Sequence, residues 1–148
     1  MAEAGGYTDV VNATPKEIYQ ALLDFESYPE WQAGVLETTV LERDEQGRGS
    51  LIEMYVDAKI RKVRFVVRYH FDEPNGLGWD YVSGDLKDNQ GRYTFVPQED
   101  GSTEATCDIT FEIGFFVPGP MKNLIKDQSL KNSMRDLKKR VETPASVS

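Results

Sequence analysis

One cysteine and one histidine are all that this chain of 148 residues offers toward redox, metal or triad chemistry. A single thiol, Cys107, excludes an internal disulfide framework and a cysteine-based metal cage; a single imidazole, His70, removes most zinc and triad arrangements as well. Long apolar runs are missing too. No stretch approaches the roughly 18 residues that a membrane-spanning helix needs. Met1 to Gly6 shows neither the basic start nor the apolar run of a secretory leader, so the cytoplasm is the expected compartment. Positive charge is in deficit: 17 Lys and Arg stand against 25 Asp and Glu, and the net charge of -8 repels a phosphate backbone, which argues against DNA as a partner.

What is present suits one globular domain, enough chain to close a single core and too little for two. Residues 7 to 142 are expected to form it, with 1–6 and 143–148 as flexible ends. Tyr7 to Asn12 is a short β-prone run. A helix should follow, because Thr14 is a good N-cap, Pro15 takes the first helical position and Glu17 completes a capping box. Ile18, Leu22 and Phe25 recur on one face of that helix. Pro29 disfavours helical geometry at Tyr28 and starts a new turn that delivers Trp31.

From Val35 onward the pattern has period two. In Ser50 to Ile60 the residues Ile52, Met54, Val56, Ala58 and Ile60 share a face; in Lys62 to Asp72, Val63, Phe65, Val67, Tyr69 and Phe71 do so, with Arg64, Arg68 and His70 on the other side. Trp79 and Tyr81 share a phase in Gly78 to Gly84, as do Tyr93 and Phe95 in Arg92 to Pro97. Ala105, Cys107, Ile109, Phe111, Ile113 and Phe115 alternate in Thr103 to Phe115. Turns are expected at Asp44 to Gly49, Pro74 to Gly76, Asp88 to Gly91 and Glu99 to Gly101, and their short spacing specifies an antiparallel meander.

One long helix follows the hinge Val117-Pro118-Gly119-Pro120 and is the only element able to cover the sheet. Its apolar residues conflict in phase: Met121, Leu124 and Ile125 lie about half a turn from Leu130, Met134, Leu137 and Val141. Either the helix breaks between Ile125 and Ser129, or its first part faces a cavity or gate while the second packs as core.

The segments Ala13-Thr14-Pro15-Lys16-Glu17-Ile18-Tyr19 and Leu23-Asp24-Phe25-Glu26-Ser27-Tyr28-Pro29-Glu30-Trp31, with later echoes at Gly91-Arg92-Tyr93, Gly101-Ser102-Thr103-Glu104 and Leu137-Lys138-Lys139-Arg140-Val141-Glu142, carry a likeness across nearly the whole chain. It resembles the polyketide cyclase/dehydrase and lipid-transport superfamily, the START-like or SRPBCC proteins, and especially their coenzyme Q-binding-protein-like branch. The resemblance implies an α+β helix-grip fold: a curved antiparallel sheet wrapped around a long C-terminal helix, with two short helices after the first strand. It also implies a hydrophobic cavity between sheet and helix, in a family that binds lipids, quinones, sterols or polyketides and only sometimes catalyses. The inward residues agree independently.

The candidate ligand-binding residues are therefore Trp31; Met54, Val56, Phe65, Val67 and Tyr69; Trp79, Tyr81, Tyr93 and Phe95; Ile109 and Phe111; and Met121, Leu124, Ile125 and Gln128 of the last helix. Tyr81, Tyr93 and Gln128 would set orientation. His70 reads as a solvent-facing strand residue and Cys107 as a buried, inert thiol. Asp85 reads as a strand-end residue, with a pocket role as the alternative. Cyclase chemistry needs positioned acids and bases. Only Tyr81, Tyr93, Asp85 and Gln128 offer themselves, an inventory that points to binding rather than catalysis, with no catalytic residue, metal or cofactor expected. A second reading is an enzyme of the cyclase/dehydratase type using those groups. A third is an interaction module whose basic run, Lys59, Arg61, Lys62, Arg64 and Arg68, docks ribosomal RNA or an anionic membrane; the plainer view is a solvated face. Phe115 to Met121 reads either as a gate that admits a lipid or dips into a bilayer, or as a segment whose Phe116 packs under the preceding loop.

Overall fold

The computed structural model describes residues 3–58 and 61–142. Lys59 and Ile60, part of the expected strand and basic run, and the expected C-terminal tail lie outside the described residues. Seven strands form one antiparallel sheet: β1 (Glu3–Val11), β2 (Val35–Arg43), β3 (Gly49–Asp57), β4 (Lys62–Asp72), β5 (Gly76–Gly84), β6 (Asp88–Pro97) and β7 (Thr103–Glu112), in the order β1-β7-β6-β5-β4-β3-β2. Strands β2 to β7 are the meander, and β1 returns to pair with β7. Glu3 to Gly6, expected as a flexible end, belong to β1 and pair with Phe111 to Asp108. Register shifts in β2 and between Val66 and Val67 add the local twist by which an antiparallel sheet curves.

Between β1 and β2 lie α1 (Pro15–Leu23), a 3-10 turn (Phe25–Ser27) and α2 (Tyr28–Trp31). The capping box is present: Thr14 Oγ1 accepts from the Glu17 amide at 3.2 Å, and Glu17 Oε1 accepts from the Thr14 amide at 3.0 Å. Ile18, Leu22 and Phe25 are buried as their spacing requires. Tyr28 corrects the expectation drawn from Pro29, since its backbone is helical. Burial outweighs the pre-proline preference here: its ring packs against Phe25 and Trp31, and its hydroxyl donates to the Leu22 carbonyl at 2.6 Å.

The meander follows the alternation. Val63, Phe65, Val67 and Tyr69 are buried while Arg64, Arg68 and His70 face outward. Gly47 and Gly101 take φ of 83° and 89° in two of the expected turns, a region that favours glycine. Asp88 to Gly91 corrects another expectation: these residues are strand, not turn. Their polarity serves one indole. Gly91 sits between Trp79 and Ile109 in the ladder, with the Trp79 ring where a Cβ would stand, and Asn89 Oδ1 accepts from Trp79 Nε1 at 3.1 Å. Strand β7 ends at Glu112, so Ile113 and Phe115 lie beyond it.

The last element, α3 (Gly119–Glu142), is unbroken. The phase conflict is resolved by the second alternative: Leu130, Met134 and Leu137 are buried, whereas the first turns stand off the sheet. Gly5 permits the close approach of the second half, its Cβ position lying 3.2 Å from Leu130 Cδ1. Asn12 N donates to Glu142 Oε2 at 2.9 Å, and Lys138 Nζ lies 3.7 Å from Asp9, so polar contacts tie this half of the helix to β1 and its exit.

Candidate functional site

Where α3 stands off, a cavity of about 650 Å³ opens between the helix and the concave face of the sheet. Its floor comes from the inward phase of five strands: Met54 and Val56 of β3, Val63 and Phe65 of β4, Trp79 of β5, Tyr93 of β6, and Cys107, Ile109 and Phe111 of β7. Met121, Leu124, Ile125 and Gln128 of α3 form the opposite wall. Leu124 is 57% exposed, which shows that this wall borders open space rather than core.

Of the candidate residues, Met54, Val56, Phe65, Trp79, Tyr93, Ile109, Phe111, Met121, Leu124, Ile125 and Gln128 lie in the lining of this cavity. Five other candidates lie outside it. Val67, Tyr69 and Phe95 share the inward phase but sit at the filled end of the sheet, under α1 and the 3-10 turn. There Phe25 meets Tyr69 at 4.7 Å between ring centroids, and Tyr19 meets Phe95 at 6.3 Å. Trp31 packs edge-on to Tyr28 instead of reaching the cavity. Tyr81 is turned to the β5–β6 connection, where its hydroxyl donates to the Leu86 carbonyl at 2.7 Å and accepts from the Leu86 amide at 3.2 Å.

The rim is made by residues outside the candidate ligand-binding set. Gln32 to Val35 form one side, held by the Ala33 amide donating to Asp136 Oδ2 at 2.8 Å and by the Asp57 amide donating to the Gly34 carbonyl at 2.7 Å. Asp136 is the one acid between Lys131 and Arg140, a slight signal that it serves something other than the helix end. Leu86 and Asn89 close the β5–β6 side. Phe115 closes another, with the Arg61 guanidinium 4.6 Å from its ring centroid. Further along α3 the lining continues through Ser129, Asn132 and Ser133.

The two ionisable side chains of the cavity floor, Cys107 and Tyr93, both hold their protons more tightly than usual. Burial pushes the Cys107 thiol up to about 12, and the hydrogen bond with the Tyr93 hydroxyl only partly offsets it. Burial likewise drives the Tyr93 phenol well above its ordinary range. Both groups are neutral at physiological pH. Of the remaining acid–base candidates, Asp85 lies outside the lining, its carboxylate accepting from the Arg64 amide at 2.8 Å, so the strand-end reading holds. His70 faces outward beside Asp80, at 3.2 Å. The floor and helix wall are thus uncharged, and Asp57 stands at the rim.

Two cations of the basic run, Arg64 and Arg68, meet acids from neighbouring strands. Arg64 pairs with Glu53 at 3.0 Å and approaches Glu37 at 4.0 Å, and Arg68 pairs with Glu42 at 3.7 Å. That face is a ladder of exposed ion pairs. Phe116 does not pack under the preceding loop: it is 87% exposed, and Val117 is the residue buried there. Among the described residues no helix is long and apolar enough to cross a membrane.

Comparison with solved structures places this architecture among known folds. A START superfamily protein from Mycobacterium smegmatis superposes with a TM-score of 0.85 at 26% identity, covering 94% of this chain and 97% of that one. The Zhui aromatase/cyclase from Streptomyces sp. R1128 gives 0.84 at 12% identity over 96% and 94% of the two chains. A STAR-related lipid transfer protein from Xanthomonas axonopodis gives 0.74 at 12% identity over 95% and 86%. At 12% identity the last two show the fold alone. No match was found among curated proteins. The sequence itself matches one family model over residues 11–138, without singling out a coenzyme Q-binding branch. With the curved seven-stranded sheet, the gripping helix and nearly the whole chain inside that match, this protein belongs to the polyketide cyclase/dehydrase and lipid transport family.

Proposed function

We propose that the protein binds an uncharged hydrophobic small molecule between the sheet and the first half of α3, and that it acts as a non-catalytic carrier or sensor of that molecule. One observation carries this reading: about 650 Å³ of space walled by Phe65, Trp79, Ile109 and Phe111 stays unfilled although a helix bearing Met121, Leu124 and Ile125 lies across it. A helix with no guest to cover would gain by closing on such a floor. A ligand burying roughly 400 Å² of apolar surface gains about 10 kcal/mol at roughly 25 cal/mol per Å². Immobilisation removes about 4 kcal/mol or more, which leaves about 6 kcal/mol or less and dissociation constants of roughly tens of micromolar or weaker.

The cyclase/dehydratase alternative loses two of its four groups to structural hydrogen bonds, Tyr81 to Leu86 and Asp85 to the Arg64 amide. Native mass spectrometry of freshly purified protein, followed by titration with the neutral fluorophore N-phenyl-1-naphthylamine, tests the binding reading. A co-purifying apolar mass or saturable probe uptake supports it. A bare protein that repeatedly refuses the probe would overturn it.

A further inference from the structure

The segment between β7 and α3 turns one aromatic ring to the outside. Phe115, Phe116 and Val117 differ in fate: the Phe115 ring closes the cavity beneath the Arg61 guanidinium, Val117 is buried, and Phe116 between them is 87% exposed. With both neighbours anchored, the exposure of Phe116 is set by the fold. The chain then enters α3 at once, the amides of Met121 and Lys122 donating to the Pro118 carbonyl at 3.0 and 3.2 Å. Met121 and Leu124 follow within a turn or so, both partly exposed and both lining the cavity, so the apolar surface of this end runs from solvent into the cavity mouth. Apolar surface gathered at an opening marks a place of contact with something other than water.

Cations surround the same segment. The Arg61 guanidinium lies 4.6 Å from the Phe115 ring centroid, Lys87 Cγ lies 3.2 Å from where a Cβ on Gly114 would stand, and Lys122 is in the first turn of α3. Acids at this end are Glu112, the last residue of β7, Asp85 and Asp88. Two of these are turned to protein donors, Asp85 to the Arg64 amide and Asp88 to the Asn89 amide and the Gln90 side chain. The excess negative charge, -8 over the whole chain, therefore lies mainly elsewhere on the molecule. An anionic surface repels most of this protein and accepts this end, which turns the cavity mouth toward it. A ring that seeks hydrocarbon beside cations that seek phosphate fits a lipid interface, where both lie within a few ångströms of depth. Resting on the carrier reading, we propose that this end of the molecule docks on an anionic bilayer. Phe116 enters the interface, Arg61, Lys87 and Lys122 meet lipid phosphates, and the guest passes between bilayer and cavity along Met121 and Leu124.

Vesicle flotation of the purified protein tests this, with vesicles of phosphatidylcholine alone and of phosphatidylcholine carrying about 30% phosphatidylglycerol, which differ in surface charge. The protein should bind the anionic vesicles about tenfold better or more, and about 0.5 M salt should remove most of that difference. Phe116→Ser should weaken anionic binding about tenfold, through the lost burial of one ring. Lys87→Ala/Lys122→Ala should weaken it by about tenfold or more and flatten the salt dependence. None of these three residues lines the cavity, so both variants should keep the wild-type Tm and the wild-type uptake of N-phenyl-1-naphthylamine measured without vesicles. Absence of vesicle binding, equal binding to both vesicle types, or anionic binding that survives both variants would each overturn the docking surface, while probe uptake leaves the carrier reading standing. Self-association that Phe116→Ser abolishes, without vesicle binding, would assign the patch to a second copy of the chain and overturn it too. Refusal of the probe by a protein that still binds anionic vesicles would remove the carrier reading and the exchange of a guest with it, and retain the surface alone.

Discussion

Cutting Leu137 and Leu124 back to alanine removes the same atoms from the same helix, yet the two changes should differ severalfold in cost. Leu137 is fully buried against the sheet, so its loss combines a transfer term with a cavity that the surrounding core cannot close, about 3 kcal/mol. For a domain of this size, with an unfolding entropy of roughly 0.3 kcal/mol per degree, that is a fall in Tm of about 10 °C. Leu124 is 57% exposed and borders the cavity, so its truncation should cost under about 1 kcal/mol and about 3 °C or less. Urea unfolding with matched m-values measures both. The order should reverse in ligand uptake: Leu124→Ala weakens N-phenyl-1-naphthylamine binding several-fold, while Leu137→Ala, assayed well below its midpoint, leaves it nearly unchanged. If Leu124→Ala proved as destabilising as Leu137→Ala, the first half of α3 would be packed shut against the sheet, and the open wall on which the binding reading depends would not exist.

Thr14→Ala removes the hydroxyl that accepts from the Glu17 amide and should cost about 1 kcal/mol, read as earlier hydrogen exchange at the start of α1. Gly91→Ala puts a methyl group where the Trp79 ring lies; it should cost about 2 kcal/mol or more and shift tryptophan emission as the indole is displaced. Arg64→Ala breaks partly exposed pairs with Glu53 and Glu37, and the urea midpoint should register less than about 1 kcal/mol. Stability should fall as pH rises past the ordinary thiol range toward about 12. Cys107 keeps its proton longer when folded than when unfolded, so its contribution is full below the unfolded pKa and is lost as pH climbs through the folded one. The buried phenols Tyr69 and Tyr93, also raised, act in the same direction. Urea midpoints of the wild type and Cys107→Ala across this range should show a shallower decline in the variant, and parallel declines would refute the assignment.

The fold was legible because its signals are local and redundant. The capping box at Thr14 and Glu17 fixes one helix start whatever surrounds it. Strict alternation in Lys62 to Asp72 commits each side chain to a face, since a slip of one residue would turn Phe65 and Val67 to water and bury Arg64 and Arg68. The misreadings came where a distant partner overrode a local preference. Asn89 and Gly91 carry turn chemistry, but the Trp79 indole needs a hydrogen-bond acceptor and a missing Cβ across the ladder. Tyr28 precedes proline, but its ring and hydroxyl gain more from the core than its backbone loses by being helical.

The site was half legible for a different reason. Alternation tells which face of a strand looks inward but not what stands opposite, and Phe95 and Ile109 have the same phase and opposite fates. Phe95 meets Tyr19 of α1 and becomes core; Ile109 lies below the stand-off of α3 and becomes wall. Trp31 and Tyr81 were misplaced for the same cause, because one finds Tyr28 and the other Leu86 before either reaches open space. The single sequence feature that did report on depth was the phase break in the last helix. Two apolar stripes half a turn apart cannot both touch one sheet, so one had to face something other than protein. That the stripe left free lies N-terminal, next to the Pro-Gly hinge and the exposed Phe116, puts the stand-off where the helix is held by the fewest contacts to the core. A guest held there has to stabilise the part of the helix that the fold itself leaves loose, and hydrogen exchange in the first turns of α3 should therefore slow on loading while exchange around Met134 stays as it was.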